Sequence, residues 1–111
     1  MQLCTLLDFY GCLLNSRQKD IMKLFYYEDF SLAEISALKG ISRQAVNSTV
    51  HRAAEKLREF ERSLKLVEFF ASTRNLRLSL ETAIHNRVWE DVESVLRDWH
   101  NIERVQVLEQ E

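Results

Sequence analysis

The stretch of sequence that decides the fold is residues 31–52, SLAEISALKGISRQAVNSTVHR. It begins with Ser31 and, three residues later, Glu34, a spacing typical of a capping box at a helix start. Gly40 suits the left-handed backbone conformation that ends a helix, and Ser42 can cap the helix that follows it. The stretch therefore predicts two helices joined by a tight turn, which is the layout of a helix-turn-helix.

The apolar residues of this stretch predict which side of its second helix is buried. Ile41 fills the space between the two helices, while Ala45, Val46 and Val50 face the first helix. The side chains that then project away from the core are Ser42, Arg43, Gln44, Asn47, Ser48, His51 and Arg52. They predict a nucleic-acid-binding surface, because arginine pairs with guanine, amides pair with adenine, and a helix start with a serine cap suits a phosphate.

The composition supports an all-α fold for the whole chain. Its 111 residues contain no proline and two glycines, whereas strand-rich domains and βαβ enzymes need many more of both for their turns. We expect a helix-turn-helix bundle followed by a long helix and a C-terminal helix. No apolar run reaches the roughly 18 to 20 residues of a membrane span, so we expect no membrane insertion and a cytoplasmic location.

A long helix is predicted after the turn, because no helix breaker follows Arg43 for about thirty residues, or roughly 45 Å at about 1.5 Å per residue. The polar stretch 72–77 is the predicted bend. Apolar residues on both sides of it recur at the 3.5-residue period of a coiled coil. The seam residues are Leu57, Phe60, Leu64, Val67, Val92, Val95, Trp99 and Ile102.

This seam predicts a domain organisation and an oligomeric state. Residues 1–66 form the expected helix-turn-helix domain, and residues 67–111 form a helical extension for dimerisation or packing. Two seams in so short a chain predict a homodimer. The period alone leaves open whether the seams pair within one chain or between two chains.

Charge is distributed unevenly along the chain and separates two hypotheses for its function. Residues 1–30 carry a net charge of −1, residues 31–66 carry +3, and residues 67–111 carry −4. The middle segment suits a polyanion, and the last segment repels one. The leading hypothesis is therefore a nucleic-acid-binding protein. The alternative is a protein-binding adaptor that uses the acidic, tryptophan-containing C-terminal helices and reads no base sequence.

Residue types with catalytic or metal-binding chemistry are scattered along the chain. No two of the three histidines, which are His51, His85 and His100, are four residues apart. That is the spacing at which two imidazoles on a helix can bind one metal ion. The sequence shows no grouping of serine, histidine and acid, and no glycine-rich phosphate loop. We therefore expect neither an enzyme nor a cofactor.

Three segments of the chain carry a family resemblance: LLDFY at residues 6–10, YYEDFSLAEI at 26–35 and SRQAV at 42–46. Together they resemble the YlxM family, which consists of small bacterial helix-turn-helix proteins. The motif of that family is similar to the promoter-reading fourth region of sigma factors. The resemblance covers about residues 3–66.

The resemblance implies an association with the signal recognition particle, because genes of this family commonly neighbour those of the particle's GTPase and its receptor. It implies a regulator whose partner is DNA or the particle's RNA, with the particle's protein as a further partner. The chain also departs from the expected pattern. Ser36 stands where a buried alanine is usual, Lys39 where an apolar residue is usual, and Asn47, Ser48 and His51 where the family has Tyr-Asp and a later lysine.

Overall fold

A computed structural model of the chain describes residues 2–110, and the side chains of residues 2–104. The helices among these residues are α1 (Leu3–Tyr10), α2 (Ser16–Tyr26), α3 (Leu32–Lys39), α4 (Arg43–Leu64), α5 (Leu66–His85) and α6 (Trp89–Gln110). A short 3-10 helix, Gly11–Leu13, follows α1. The described part of the chain contains no strand, so the predicted all-α fold is confirmed.

The chain divides into two compact units, residues 1–67 and residues 68–111. In the first unit α4 packs against α1, α2 and α3. The side chains buried between these helices are Leu6, Leu7, Tyr10, Leu14, Ile21, Met22, Ile35, Val46, Val50, Ala53, Ala54, Leu57 and Val67. The apolar side of α4 therefore faces the core of its own unit, as predicted for Val46 and Val50.

The predicted single long helix is wrong, because α4 ends at Leu64. Lys65 adopts the left-handed conformation, with φ 54° and ψ 31°, and α5 begins at the next residue. The predicted bend at residues 72–77 is also wrong, since α5 runs through that stretch to His85. The next interruption follows α5, where Arg87 has φ 57°.

A network around Tyr10 holds the chain at the break after α4. The Tyr10 hydroxyl donates to Glu61 Oε1 at 2.5 Å and accepts from the Leu66 backbone N–H at 3.1 Å. The same Glu61 oxygen accepts from the Val67 N–H at 3.1 Å. Burial raises the pKa of Tyr10, and its bond to Glu61 raises it further, so the hydroxyl stays protonated as a donor. These bonds satisfy backbone donors at the start of α5 that would otherwise be unpaired.

We predict that Tyr10→Phe lowers the free energy of unfolding by about 1 to 3 kcal/mol, because it leaves the Leu66 N–H and the Glu61 carboxylate without this partner. The matched control is Tyr26→Phe, since the Tyr26 hydroxyl makes no hydrogen bond within the described residues. That control should cost less than about 0.5 kcal/mol. Urea unfolding followed by circular dichroism measures both, and equal losses would contradict a role for the network.

The seam residues of the first unit lie on both sides of this break. Leu57 and Val67 are buried in the core, Phe60 packs against it, and Leu64 is half exposed. Much of this seam is therefore covered by helices of the same chain. The predicted seam does not run along one helix, because Lys65 interrupts it.

In the second unit, the hydrophobic residues that are buried among those described are Ala83 and Val95. Val92, Trp99 and Ile102 of the predicted seam are partly buried. Large apolar side chains are exposed on both helices of this unit, including Phe70 (56%) and Trp89 (63%). None of the described helices is both long enough and apolar enough to cross a membrane.

Candidate nucleic-acid interface

The turn between α3 and α4 has the geometry predicted from its capping residues. The Glu34 N–H donates to Ser31 Oγ at 3.1 Å, and the Ser31 N–H donates to Glu34 Oε1 at 3.2 Å, which completes the capping box. Gly40 ends α3 with φ 67°. The Ala45 N–H then donates to Ser42 Oγ at 3.0 Å, which caps the start of α4. Local hydrogen bonds thus fix where both helices of the motif begin.

Ser36 holds this turn, which explains why the chain does not need the usual alanine at that position. Its hydroxyl donates to the Ile41 carbonyl at 2.5 Å, across the turn. In the other direction, the N–H groups of Gly40 and Ile41 donate to the Ser36 carbonyl at 3.0 and 3.2 Å. In the sequence, Ser36 is a departure from the usual pattern, and this role was not predicted from it. The role depends on the left-handed turn at Gly40, which places the Ile41 carbonyl next to the Ser36 hydroxyl.

Lys39, the second departure, lies near Asp20 of α2, with Nζ 3.9 Å from Oδ2. Both side chains are substantially exposed, so this ion pair adds little to stability. Its position explains why a charged residue is tolerated at the end of α3, where an apolar residue was expected. The pair also neutralises one positive charge of the motif before the turn.

Six of the seven predicted binding residues lie on the accessible side of the first half of α4, and the seventh, Ser42, is the cap that precedes it. Ser48 is partly buried, and the other six are exposed, namely Ser42, Arg43, Gln44, Asn47, His51 and Arg52. These seven residues form the recognition surface. Two stripes at four-residue spacing run along it, one through Arg43, Asn47 and His51 and the other through Gln44, Ser48 and Arg52. The structure therefore brings the predicted residues together on one continuous surface.

The electrostatics of α4 change between its first and second halves. Arg43 and Arg52 make no ion pair within the described residues, and no acidic residue occurs between Ser42 and Ala54. In the second half, Glu55 forms ion pairs with both Arg58 and Arg62, at 3.5 and 3.3 Å. Three basic residues of α4 make no ion pair within the described residues: Arg43, Arg52 and Lys56. Two of them, Arg43 and Arg52, lie on the recognition surface, where a polyanion would meet hydrogen-bond donors and no carboxylate.

Comparisons with known proteins match most of the chain. A model of the family UPF0122, described as "Putative helix-turn-helix protein, YlxM / p13 like", matches residues 1–96. A UPF0122 protein of Symbiobacterium thermophilum is 43% identical over 77 residues, covering 69% of this chain and 70% of that protein. Another, from Exiguobacterium sp., is 34% identical over 98 residues, covering 88% and 90%. The match continues past residue 66, so the extent inferred from sequence motifs was too short.

Proposed function

The chain belongs to the UPF0122 family of YlxM- and p13-like helix-turn-helix proteins, and from this premise we propose that it binds duplex DNA through the recognition surface of α4. The observation that carries the proposal is the combination of two unpaired arginines, amide and hydroxyl donors, and an acid-free first half of α4. The protein acts by binding, and no catalytic step or cofactor is part of the proposal. The cytoplasmic location remains a prediction.

The proposed contacts follow from the positions of the side chains on α4. In helix-turn-helix proteins the second helix of the motif lies in the major groove, with its N-terminal residues at the base edges. Arg43 can pair with guanine, and Gln44 and Asn47 with adenine. Ser42 and Arg52 suit the flanking phosphates, which position the protein without carrying sequence information.

The direct test is fluorescence anisotropy with short labelled DNA duplexes over a salt series from about 50 to 300 mM. The affinity should fall steeply as the salt concentration rises. Binding releases counterions from the DNA phosphates, and this release becomes less favourable at high salt. Unlabelled RNA serves as the competitor. Binding that is insensitive to salt, or displacement by RNA at lower concentration than by duplex DNA, would contradict DNA as the target.

We further propose that the protein is a regulator associated with the signal recognition particle. The support for this proposal is family membership alone, since genes of this family commonly lie next to those of the particle's GTPase and its receptor. Capture of partners from the source cell tests it, with one half of the lysate treated with nuclease. The particle's RNA or protein should be recovered in the untreated half, and its absence from both halves would contradict the association.

A homodimer formed through the second unit is also proposed. Its support is the set of large apolar side chains that α6 and its preceding turn leave exposed, among them Val88, Trp89 and Leu96. Trp89 and Leu96 are seven residues apart and so lie on one side of α6. Sedimentation equilibrium at tens of micromolar should give twice the 13.2 kDa chain mass, and the double change Trp89→Ser/Leu96→Ser should shift it towards monomer. A wild-type monomer would contradict the dimer.

The second candidate function is a protein-binding adaptor. The observation that favours it is the same exposed apolar surface in a segment whose net charge is −4, which repels nucleic acid. The nuclease-treated lysate separates the two candidates. A protein that the chain captures equally with and without nuclease, and that Trp89→Ser/Leu96→Ser releases, would favour the adaptor over the DNA-binding protein.

A further inference from the structure

A cleft of about 330 Å³ lies between the start of α2 and the first half of α4. Ala45 lies at its wall, and the polar or charged side chains that line it are Asn15, Arg17, Gln18, Ser48, Thr49 and Arg52. The two helices therefore each supply one arginine to the same cleft. Of these side chains, only those of Ser48 and Arg52 belong to the recognition surface.

The charges of the cleft select for an anion. Arg17 and Arg52 make no ion pair within the described residues, and no carboxylate lines the cleft. Asp20, the acidic residue of α2, is directed to Lys39 of α3. Two guanidinium groups without a compensating acid favour a ligand with negative charge on several oxygens, and phosphate is the group that arginine recognises with two parallel hydrogen bonds.

Hydrogen-bond donors remain available beside the two arginines. Asn15 Oδ1 accepts from the Gln18 N–H at 2.8 Å, which leaves the amide NH₂ of Asn15 free to donate. The Ser48 hydroxyl makes no hydrogen bond within the described residues. The Thr49 hydroxyl is engaged, since it donates to the Ala45 carbonyl at 2.9 Å. The donors facing the cleft therefore match an acceptor-only ligand.

Gln18 also lines the cleft and carries a polar atom without a partner in the described part of the chain. Its side-chain oxygen is buried and has no hydrogen-bond partner among the described residues. Most buried oxygens in proteins accept a hydrogen bond, so an unpaired one indicates that a donor is missing from its surroundings. A donor such as a bound water would satisfy this oxygen.

The cleft adjoins the surface on which DNA would lie. The stripe through Gln44, Ser48 and Arg52 borders it, so a duplex seated on α4 carries its backbone past the start of α2. We propose that this cleft holds a backbone phosphate of duplex DNA between Arg17 and Arg52, with Asn15 and Ser48 as further donors. The inference rests on the proposed function and adds α2 to the binding surface.

The test is the change Arg17→Ala, measured by anisotropy with two duplexes of unrelated sequence. One lost phosphate contact should reduce the salt slope by about 0.9 and weaken binding roughly eightfold near 0.1 M salt. The loss should be equal for both duplexes, because a phosphate carries no sequence information. Lys23→Ala is the matched control, since it removes one positive charge from another side of α2 and should leave the slope unchanged.

A second variant probes the cleft without removing an arginine. Gln18→Glu places a carboxylate beside the phosphate at nearly constant shape, so binding should weaken while the helical circular dichroism stays as in the wild type. The proposed phosphate site would be overturned if Arg17→Ala and Lys23→Ala reduced the affinity for DNA equally, or if Gln18→Glu bound DNA as well as the wild type. Either result would leave the proposed DNA binding through α4 intact. A wild-type protein that binds no duplex would overturn both.

Discussion

Leu57→Ala is expected to lower the free energy of unfolding by about 2 to 5 kcal/mol, because the side chain is fully buried and its removal leaves a cavity. The matched control is Leu64→Ala on the same helix. Leu64 occupies the equivalent position of the predicted seam, seven residues later, but is 50% exposed. That change should cost less than about 1 kcal/mol.

The pair distinguishes packing within the chain from pairing between chains. Leu57 is buried among helices of its own unit. The decrease in the free energy of unfolding caused by Leu57→Ala should therefore be the same at low and high protein concentration. Urea unfolding of the wild type and both variants at two concentrations measures this difference. Two results would contradict the position of Leu57 in the core of the first unit. One is an equal decrease in unfolding free energy for the two leucine variants, and the other is a decrease for Leu57→Ala that changes with protein concentration.

The double change Arg43→Ala/Arg52→Ala is expected to cause the largest loss of DNA binding. Loss of the Arg52 phosphate contact should lower the salt slope by about 0.9, which corresponds to roughly eightfold weaker binding near 0.1 M salt. Loss of the Arg43 pair with guanine should cost a further amount of about 1 to 3 kcal/mol at a duplex that offers this base. Both side chains are exposed and make no ion pair within the described residues, so their removal leaves the core intact. Salt-dependent anisotropy with short duplexes measures both quantities.

The control for this prediction is Arg58→Ala/Arg62→Ala. It removes the same charge from the same helix, but both side chains pair with Glu55 and lie beyond the recognition surface. Its slope should stay close to that of the wild type. If both double variants lost the same affinity, the net charge of α4 rather than the recognition surface would govern binding.

The parts of the motif that depend on neighbours in sequence were predictable. The capping box of Ser31 and Glu34, the left-handed Gly40 and the Ser42 cap are bonds over a few residues, and the residue types alone indicate them. The period of the apolar residues also gave the buried side of α4. The resemblance to the YlxM family is confirmed by the match over residues 1–96.

The break at Lys65 was not predictable from residue types, because a non-glycine residue adopts the left-handed conformation there. The bonds that support it involve Tyr10, which is 56 residues from Leu66 in sequence. The cleft was missed for the same reason, since Arg17 and Arg52 line one cleft only after α2 packs against α4. A heptad period likewise could not reveal that Leu57 packs within its own chain.

The most direct measurement of the central claim is a titration of isotope-labelled protein with a short DNA duplex, followed by amide chemical shifts. The largest changes should fall on residues 42–52, with a second set at the start of α2 around Arg17. The amides of α6 should shift little. Changes confined to α5 and α6, or no saturable change anywhere, would contradict DNA binding through α4.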